Sequence, residues 1–249
     1  MRALLHSLML ALTLSIAAGP VHADTIRVAV ASNFAPAIKA LSQQFEQQTG
    51  HRVQLAFGST GKQYAQIIHG APFDAFFAAD SKRPQLLEQQ GIALPGSRFT
   101  YAIGKLVLWS PEPGRVDDQG QILQQGSLRH LALANPKLAP YGKAAEQVMR
   151  AQGVWQAWRG RIVRGENIGQ ALQFVKSGNA ELGFVAWAQL RQPGSAVTGS
   201  WWTPPQSSYS PITQQAVLLN DNPVARQLLA FVRSDSARTL IQSYGYTLP

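Results

Sequence analysis

Polar residues that could hold an anion follow two predicted strands, each at the turn into a predicted helix. Ser32-Asn33 comes directly after the β-branched run Thr25–Ala31, and Gly58-Ser59-Thr60-Gly61 comes after the run His51–Phe57. The N-terminus of a helix offers unpaired backbone N–H groups and about half a positive charge. Two such turns on neighbouring strands would cradle one tetrahedral oxyanion, although either turn alone is also typical of an ordinary helix N-cap.

Residues suited to catalysis or to metal binding are few. The chain has no cysteine, which excludes disulfide scaffolds, thiolate zinc sites, iron–sulfur clusters and cysteine nucleophiles. The motifs HExxH and GxSxG are absent, and the carboxylate pair Asp117-Asp118 lies in a loop rich in glycine, proline and glutamine. Gln63 follows Gly61-Lys62 where a phosphate-binding loop needs serine or threonine. The sequence therefore predicts no catalytic residue and no cofactor.

The N-terminal residues indicate an exported protein. Residues 1–23 contain Arg2, then the apolar run Leu8–Ala18, then the small-residue end Val21-His22-Ala23. This order predicts a secretory signal peptide that is cleaved after Ala23, and the apolar run is too short to span a bilayer. An uncleaved N-terminal anchor is the alternative. Because no cysteine follows the apolar run, a lipoprotein anchor is excluded.

The basic composition leaves the kind of partner open. Lys and Arg number 22 against 13 Asp and Glu, a formal charge of +9, which fits a polyanion, a small anionic ligand or a requirement of solubility. The basic residues are scattered, apart from a mild cluster at Arg159, Arg161 and Arg164 that a solvated loop would explain. No nucleic-acid-binding motif accompanies the tryptophans, so we expect no nucleic-acid partner.

Strand and helix patterns alternate along the chain, which predicts an α/β fold. Three βα units in the first 90 residues favour a parallel sheet that is covered on both faces. Later strands are predicted at Tyr101–Ser110, Leu131–Ala134, Leu182–Ala186 and Ile212–Leu219. Later helices are predicted at Gly142–Gln152, around Ile168–Val175, at Val224–Val232 and at Ser236–Tyr244. The segments Tyr101–Lys105 and Ser210–Thr213 could cross between two lobes, which would make the first lobe discontinuous.

Six segments resemble the periplasmic molybdate-binding protein of ABC importers. They span nearly the whole chain after residue 23, in the family's order: Thr25–Phe34, Phe57–Lys62, Phe73–Asp80, Leu133–Gly142, Glu166–Val185 and Tyr244–Tyr246. The resemblance implies a two-lobed periplasmic binding protein of type II, in which each lobe is a mostly parallel sheet flanked by helices and two crossing strands form the hinge. The boundaries we expect are a signal peptide at 1–23, a first lobe at 24–103 plus 213–249, and a second lobe at 104–212.

The same resemblance assigns the oxyanion-binding residues to four turns. Serine and tyrosine hydroxyls, an asparagine and one helix-start backbone N–H group are the implied donors: Ser32, Asn33, Ser59, Tyr141 and Ile168. Many family members also carry a tyrosine donor after a G-I-V-like strand, but Ala186 stands there in this chain. We expect Tyr141 and Asn33 to compensate for that missing donor.

The function implied by the resemblance is capture of molybdate, and also of tungstate, in the periplasm. The implied partner is the membrane permease of an ABC importer, to which a monomeric binding protein delivers its ion. Metal would be bound only as the oxyanion, and no enzymatic activity is expected. A binding protein for another small oxyanion such as sulfate or phosphate remains an alternative, and an exported hydrolase on the same fold is a more distant one.

Overall fold

Two five-stranded sheets organise the fold in the computed structural model, which describes residues 23–125 and 128–249. The predicted signal peptide lies outside the described residues, apart from Ala23 itself. Within the described ranges, no helix combines the length and the apolar character that crossing a membrane requires.

Strands and helices follow one another in the order that the sequence pattern predicts for most of the chain. The strands are β1 (Thr25–Ala31), β2 (Arg52–Gly58), β3 (Ala75–Ala78), β4 (Phe99–Gly104), β5 (Leu106–Ser110), β6 (Leu131–Ala134), β7 (Ile162–Gly165), β8 (Leu182–Ala186), β9 (Ser200–Trp202) and β10 (Ile212–Leu218). The helices are α1 (Ala35–Thr49), α2 (Thr60–Ile68), α3 (Lys82–Gln89), α4 (Pro140–Ala151), α5 (Trp155–Trp158), α6 (Ile168–Lys176), α7 (Trp187–Leu190), α8 (Pro223–Val232) and α9 (Asp235–Ser243).

Each sheet is mixed, with a parallel half and an antiparallel half. In the first sheet, ordered β2-β1-β3-β10-β4, β1 is parallel to β2 and β3, while β10 is antiparallel to β3 and β4. In the second, ordered β7-β6-β8-β5-β9, β6 is parallel to β7 and β8, while β5 is antiparallel to β8 and β9. The βα units account for the parallel halves, because parallel neighbours need a crossover connection.

The chain passes between the two sheets twice. β4 ends at Gly104 in the first sheet and β5 begins at Leu106 in the second, so Lys105 alone separates them. The chain returns between β9 and β10. The result is the two-lobed α/β architecture, and the exact lobe limits at 103/104 and 212/213 remain a prediction.

Buried apolar stripes explain why the first lobe folds as it does. The apolar residues of α1 recur at helical spacing and are buried at Ala37, Ile38, Leu41 and Phe45, where they pack with β1. The helix ends at Gly50, whose φ of 75° is the left-handed conformation typical of a helix C-cap. This packing holds the carboxyl end of β1 in place, where the first predicted anion-binding turn begins.

The sequence pattern missed the shortest elements of the second lobe. β7 has four residues and β9 has three, and α5 and α7 are single turns of four residues each. Segments of three or four residues are too short to show a period of two or of 3.6, and β6, of the same length, was recognisable only by its continuous apolar run. They form because tertiary neighbours supply their partners, as β6 does for β7.

Candidate functional site

Four strand ends from the two lobes converge on one small cavity. In the first lobe Ala31 pairs with Gly58 across β1 and β2, so the turns at Ser32 and Ser59 both begin at the same carboxyl edge. In the second lobe Ala134 pairs with Gly165 across β6 and β7, and these strands lead into α4 and α6. The carboxyl edge of an open α/β sheet is where such folds bind their ligands.

The cavity brings together all the residues that the sequence assigned to the site. Its volume is about 10 Å³, against the ~300–1,000 Å³ of an ordinary organic-ligand pocket, so it has no room for an organic ligand. Thr60, from the predicted anion-binding turn Gly58-Ser59-Thr60-Gly61, also lines it. The lining residues assigned beforehand are Ser32, Asn33, Ser59, Tyr141 and Ile168.

The hydroxyl groups of Ser32, Ser59 and Tyr141 can donate their protons to a ligand in the cavity. Ser32 Oγ accepts a hydrogen bond from Gly169 N–H at 3.2 Å, and Ser59 Oγ accepts one from Lys62 N–H at 3.3 Å. Tyr141 Oη accepts one from the Gln214 side-chain amide at 3.2 Å. Among the described residues none of these hydroxyls donates to a protein acceptor, so each can donate its proton to an anion.

Two helix N-termini each retain one donor at the cavity that has no acceptor within the described part of the chain. In α2 the N–H of Gly61 donates to Leu138 O at 2.8 Å, and that of Lys62 donates to Ser59 Oγ, which leaves the first residue, Thr60. In α6 the N–H groups of Gly169 and Gln170 donate to Ser32 Oγ and Asn167 Oδ1, which leaves the first residue, Ile168. A first helical residue has no intrahelical partner for its N–H, so both groups can bind an anion.

Asn33 offers a ligand its backbone rather than its side chain. Its amide nitrogen Nδ2 donates to Gln214 Oε1 at 2.7 Å and to Tyr246 Oη at 3.1 Å, so both amide protons have protein acceptors. Asn33 is also in the first turn of the 3₁₀ helix Ser32–Phe34. The donor that it can present to an ion is therefore its backbone N–H.

A buried polar network that the sequence analysis missed lies behind Tyr141. Gln214 on β10 is fully buried and joins Asn33, Tyr101 and Tyr141, while Tyr246 donates to Asn33 O at 2.9 Å. The one signal in the sequence is that Gln214 occupies a core-facing position in an alternating strand, since Ile212 and Ala216 on the same face are buried. A glutamine at such a position needs buried partners.

Burial keeps the tyrosines of this network protonated. It raises the pKa values of Tyr101, Tyr141 and Tyr246 well above the ordinary value of about 10, and the Gln214 and Asn33 amides, which favour the ionised form, offset only part of the rise at Tyr141. Tyr141 therefore remains a hydrogen-bond donor throughout the neutral and mildly alkaline range.

Ala186, where the family resemblance would place a tyrosine, lies outside the cavity lining. It is fully buried at the end of β8, and its N–H donates to Gln189 Oε1 at 3.1 Å. The residues with hydroxyl groups that line the cavity are Ser32, Ser59, Thr60 and Tyr141. Compensation for the missing tyrosine by Tyr141 and Asn33 stays a prediction.

The cavity lining carries no charged side chain among the described residues, whereas charges lie around it. Lys62 Nζ and Glu166 Oε1, 2.9 Å apart, join the two lobes at the rim, with both side chains about half exposed. A groove of about 690 Å³ borders the cavity, sharing Ala79, Ala139 and Pro140 with it and including Lys82 and Lys143. No group of three His, Asp or Glu side chains in the described ranges could hold a bare metal ion.

Comparisons with known proteins show what the whole chain is similar to. A family model for bacterial extracellular solute-binding proteins matches residues 26–247. The molybdate-binding protein ModA of Azotobacter vinelandii is 48% identical over 247 residues, which cover 98% of each chain. The protein of that name from Rhodobacter capsulatus is 45% identical, over 91% of this chain and 90% of its own. The solved periplasmic molybdate-binding protein of Azotobacter vinelandii superposes with a TM-score of 0.87 at 46% identity, over 90% of this chain and 99% of that one.

Proposed function

Because the chain belongs to the family of bacterial extracellular solute-binding proteins, we propose that it captures molybdate in the cavity between its lobes. The two curated relatives that are 48% and 45% identical bear the name of molybdate-binding proteins, which supports this ligand and a transport role rather than an enzymatic one. Tungstate, an oxyanion of nearly the same size and the same charge, binds in the same place.

The observation that carries the proposal is the chemistry of the cavity lining. Its polar groups are hydroxyls with free protons and helix-start N–H groups, and the described lining has no carboxylate to repel a dianion. Hydrogen bonds to a charged group contribute about 1.5–3 kcal/mol each, so several neutral donors can hold a desolvated dianion without a countercharge. The ion bridges the lobes, because Ser32, Asn33 and Ser59 belong to the first lobe and Tyr141 and Ile168 to the second.

We propose the following setting for this activity. The protein works in the periplasm as a monomer, after removal of the signal peptide behind Ala23, and it delivers its ion to the permease of an ABC importer. The solved relative from Azotobacter vinelandii is itself called periplasmic, which supports this location. Stimulation of molybdate uptake by vesicles that contain the cognate permease would test delivery.

Calorimetric titration of the mature chain tests the ligand. Molybdate and tungstate are expected to bind with micromolar affinity or tighter. Sulfate should bind much more weakly, because it is too small to reach every donor at once. Hydrogen phosphate should bind weakly because its proton would face a donor and find no acceptor. Equal affinities for sulfate and molybdate would contradict the proposal and favour a more general oxyanion-binding protein.

A further inference from the structure

The direction of the Tyr141 hydroxyl is determined by a chain of hydrogen bonds that begins at a backbone carbonyl. Tyr246 donates its only proton to Asn33 O at 2.9 Å, so its oxygen must act as an acceptor towards Asn33 Nδ2 at 3.1 Å. A carbonyl group cannot donate, so this first bond has only one possible direction. It determines which way the Asn33 amide faces.

The same constraint passes from Asn33 to Gln214. The nitrogen Nδ2 of Asn33 also lies 2.7 Å from Gln214, where only an acceptor is compatible with it, so Gln214 must present Oε1 there. Tyr101 Oη lies 3.0 Å from the same oxygen. The other end of the Gln214 amide, Nε2, must therefore face Tyr141 Oη, which lies 3.2 Å away.

Tyr141 is the end of this chain. Since Gln214 Nε2 can only donate, Tyr141 Oη accepts that bond and its own proton is directed elsewhere, into the cavity that Tyr141 lines. Gly104 allows this approach, because a Cβ atom there would lie 2.0 Å from Tyr141 Oη and 2.6 Å from Gln214 Nε2. No side chain other than hydrogen fits at that position without moving one of the two groups.

We propose that Gln214 is a specificity-determining residue, which holds the Tyr141 hydroxyl as a donor and thereby makes the cavity reject oxyanions that carry a proton. Gln214 does not line the cavity, so it is a positioning residue that acts through Tyr141. This inference rests on the proposed oxyanion-binding function and adds to it the origin of the discrimination. Sulfate and hydrogen phosphate are the informative pair, since both are tetrahedral dianions of similar size and one of them carries a proton.

The substitution Gln214→Glu tests the proposal with nearly the same shape. When the introduced carboxyl group is ionised it can only accept, so the Tyr141 proton turns towards it and the Tyr141 lone pairs become available to a protonated ligand. When the carboxyl group is protonated, it restores one donor towards Tyr141 and one acceptor towards Asn33. The titratable or charged groups near this position are Tyr101, Tyr141 and Tyr246, with Tyr209 and Asp80 beyond. Burial raises the pKa of each of these tyrosines, so they stay neutral in the range used.

Gln215→Glu is the matched control. It makes the same chemical change one residue along β10, where the side chain is partly buried and bonded to Arg98 and Thr100 instead of to Tyr141. Direct calorimetric titrations with molybdate, sulfate and phosphate are run on the three proteins from pH 5 to pH 9. Thermal unfolding without ligand confirms that each variant is folded.

Wild type and Gln215→Glu are expected to prefer sulfate over hydrogen phosphate at pH 8 to 9. In Gln214→Glu that preference should fall by at least about tenfold. The molybdate affinity of Gln214→Glu should be below that of wild type at high pH, and the difference should shrink as the pH falls and the carboxyl group is protonated. The role of Gln214 would be overturned if Gln214→Glu kept the wild-type preference for sulfate over hydrogen phosphate and if its molybdate affinity relative to wild type did not change with pH. If the wild type still binds molybdate in that case, the proposed function stands. Failure of the wild type to bind molybdate would overturn the proposed function instead.

If Gln214→Glu does not fold, Gln214→Met takes its place. Gln214→Met must then lose the preference for sulfate over hydrogen phosphate, and a retained preference would overturn the inference.

Discussion

At the scale of single residues, the site depends on donors whose protons have no protein acceptor within the described ranges. Ser32, Ser59 and Tyr141 each accept a hydrogen bond from an N–H group, and this bond both orients the hydroxyl oxygen and leaves the proton for the ion. The hydrogen bond that each hydroxyl oxygen accepts therefore both positions the group and makes it a donor to the ion. A ligand with only acceptor atoms satisfies all of them at once.

Tyr141→Phe removes one of these donors with little change of shape. Molybdate affinity should fall about 10- to 100-fold, because a hydrogen bond to a charged group is worth about 1.5–3 kcal/mol. Isothermal titration at pH 7 to 9 measures this, and the wild-type affinity should be constant over that range because burial holds the pKa of Tyr141 well above it. Tyr209→Phe, at a buried tyrosine that does not line the cavity, is the control and should leave the affinity unchanged. Equal affinities in Tyr141→Phe and wild type would remove Tyr141 from the site.

Gly104→Ala tests the close approach of Tyr141 to β4. The new methyl group would lie 2.0 Å from Tyr141 Oη, so the phenol ring must move away from its position at the cavity. We expect an affinity loss at least as large as that of Tyr141→Phe, together with a destabilisation of about 1–3 kcal/mol from overpacking. Gly160→Ala is the matched control, since nothing in the described structure lies within 4 Å of a Cβ atom there. An unchanged affinity in Gly104→Ala would mean that the position of the Tyr141 ring does not matter.

Residue types in the sequence indicated the turns of this site but not the network behind them. Ser32 and Ser59 are recognisable because they follow strands, and a strand end next to a helix start is a local pattern. Tyr246 meets Asn33 from 213 positions away along the chain, and Gln214 meets it from 181 positions away. No local pattern reports such contacts, so the network became visible only once the strands were assembled.

At the scale of elements, the parallel halves of the two sheets place four turns around one point. Strand ends that pair in register, Ala31 with Gly58 and Ala134 with Gly165, guarantee that the turns after them are neighbours. Alternation of strand and helix predicted this half of each sheet well. It could not predict the antiparallel partners, because β10 joins the first sheet only after the chain has left it at the end of β4 and passed through the whole second sheet.

The helices α2 and α6 also bring the lobes together at their first turns. Lys62 of α2 and Glu166, two residues before α6, form an ion pair with both side chains about half exposed. An exposed pair contributes only about 0–1 kcal/mol, so Lys62→Met should speed molybdate dissociation by no more than about fivefold, and the difference should vanish at high salt. Stopped-flow displacement measures the rate. Arg226→Met, which breaks the exposed pair with Asp221 inside the first lobe, is the control and should not change it. A large increase in the dissociation rate that persists in high salt would show that Lys62 contributes to holding the ion by more than an exposed ion pair.

At the scale of the whole molecule, the protein is strongly basic while its cavity lining carries no charged side chain among the described residues. The formal charge of the full chain is +9. The groove beside the cavity is lined by more basic than acidic side chains: Lys82, Arg83, Lys137 and Lys143 against Asp80 and Glu146. A positive field of this kind raises the rate at which a dianion arrives, and it is screened by salt over about 10 Å at 0.1 M ionic strength. Hydrogen bonds inside a dry cavity are screened much less. Attraction and retention of the ion therefore depend on different groups.

This division predicts where the salt dependence of binding lies. In Lys62→Met, which lacks the ion pair between the lobes, raising the ionic strength from about 0.01 to 0.3 M should slow molybdate association several-fold, because the attraction acts at long range. The dissociation rate should stay nearly constant, since neutral hydroxyls and backbone N–H groups hold the ion. Stopped-flow measurements of both rates, with Lys62→Met compared with wild type at each salt concentration, separate the field of the whole protein from the ion pair at the rim. A dissociation rate that rises steeply with salt in Lys62→Met would mean that a charged side chain reaches the bound ion, and the neutral cavity would then be the wrong description of the site.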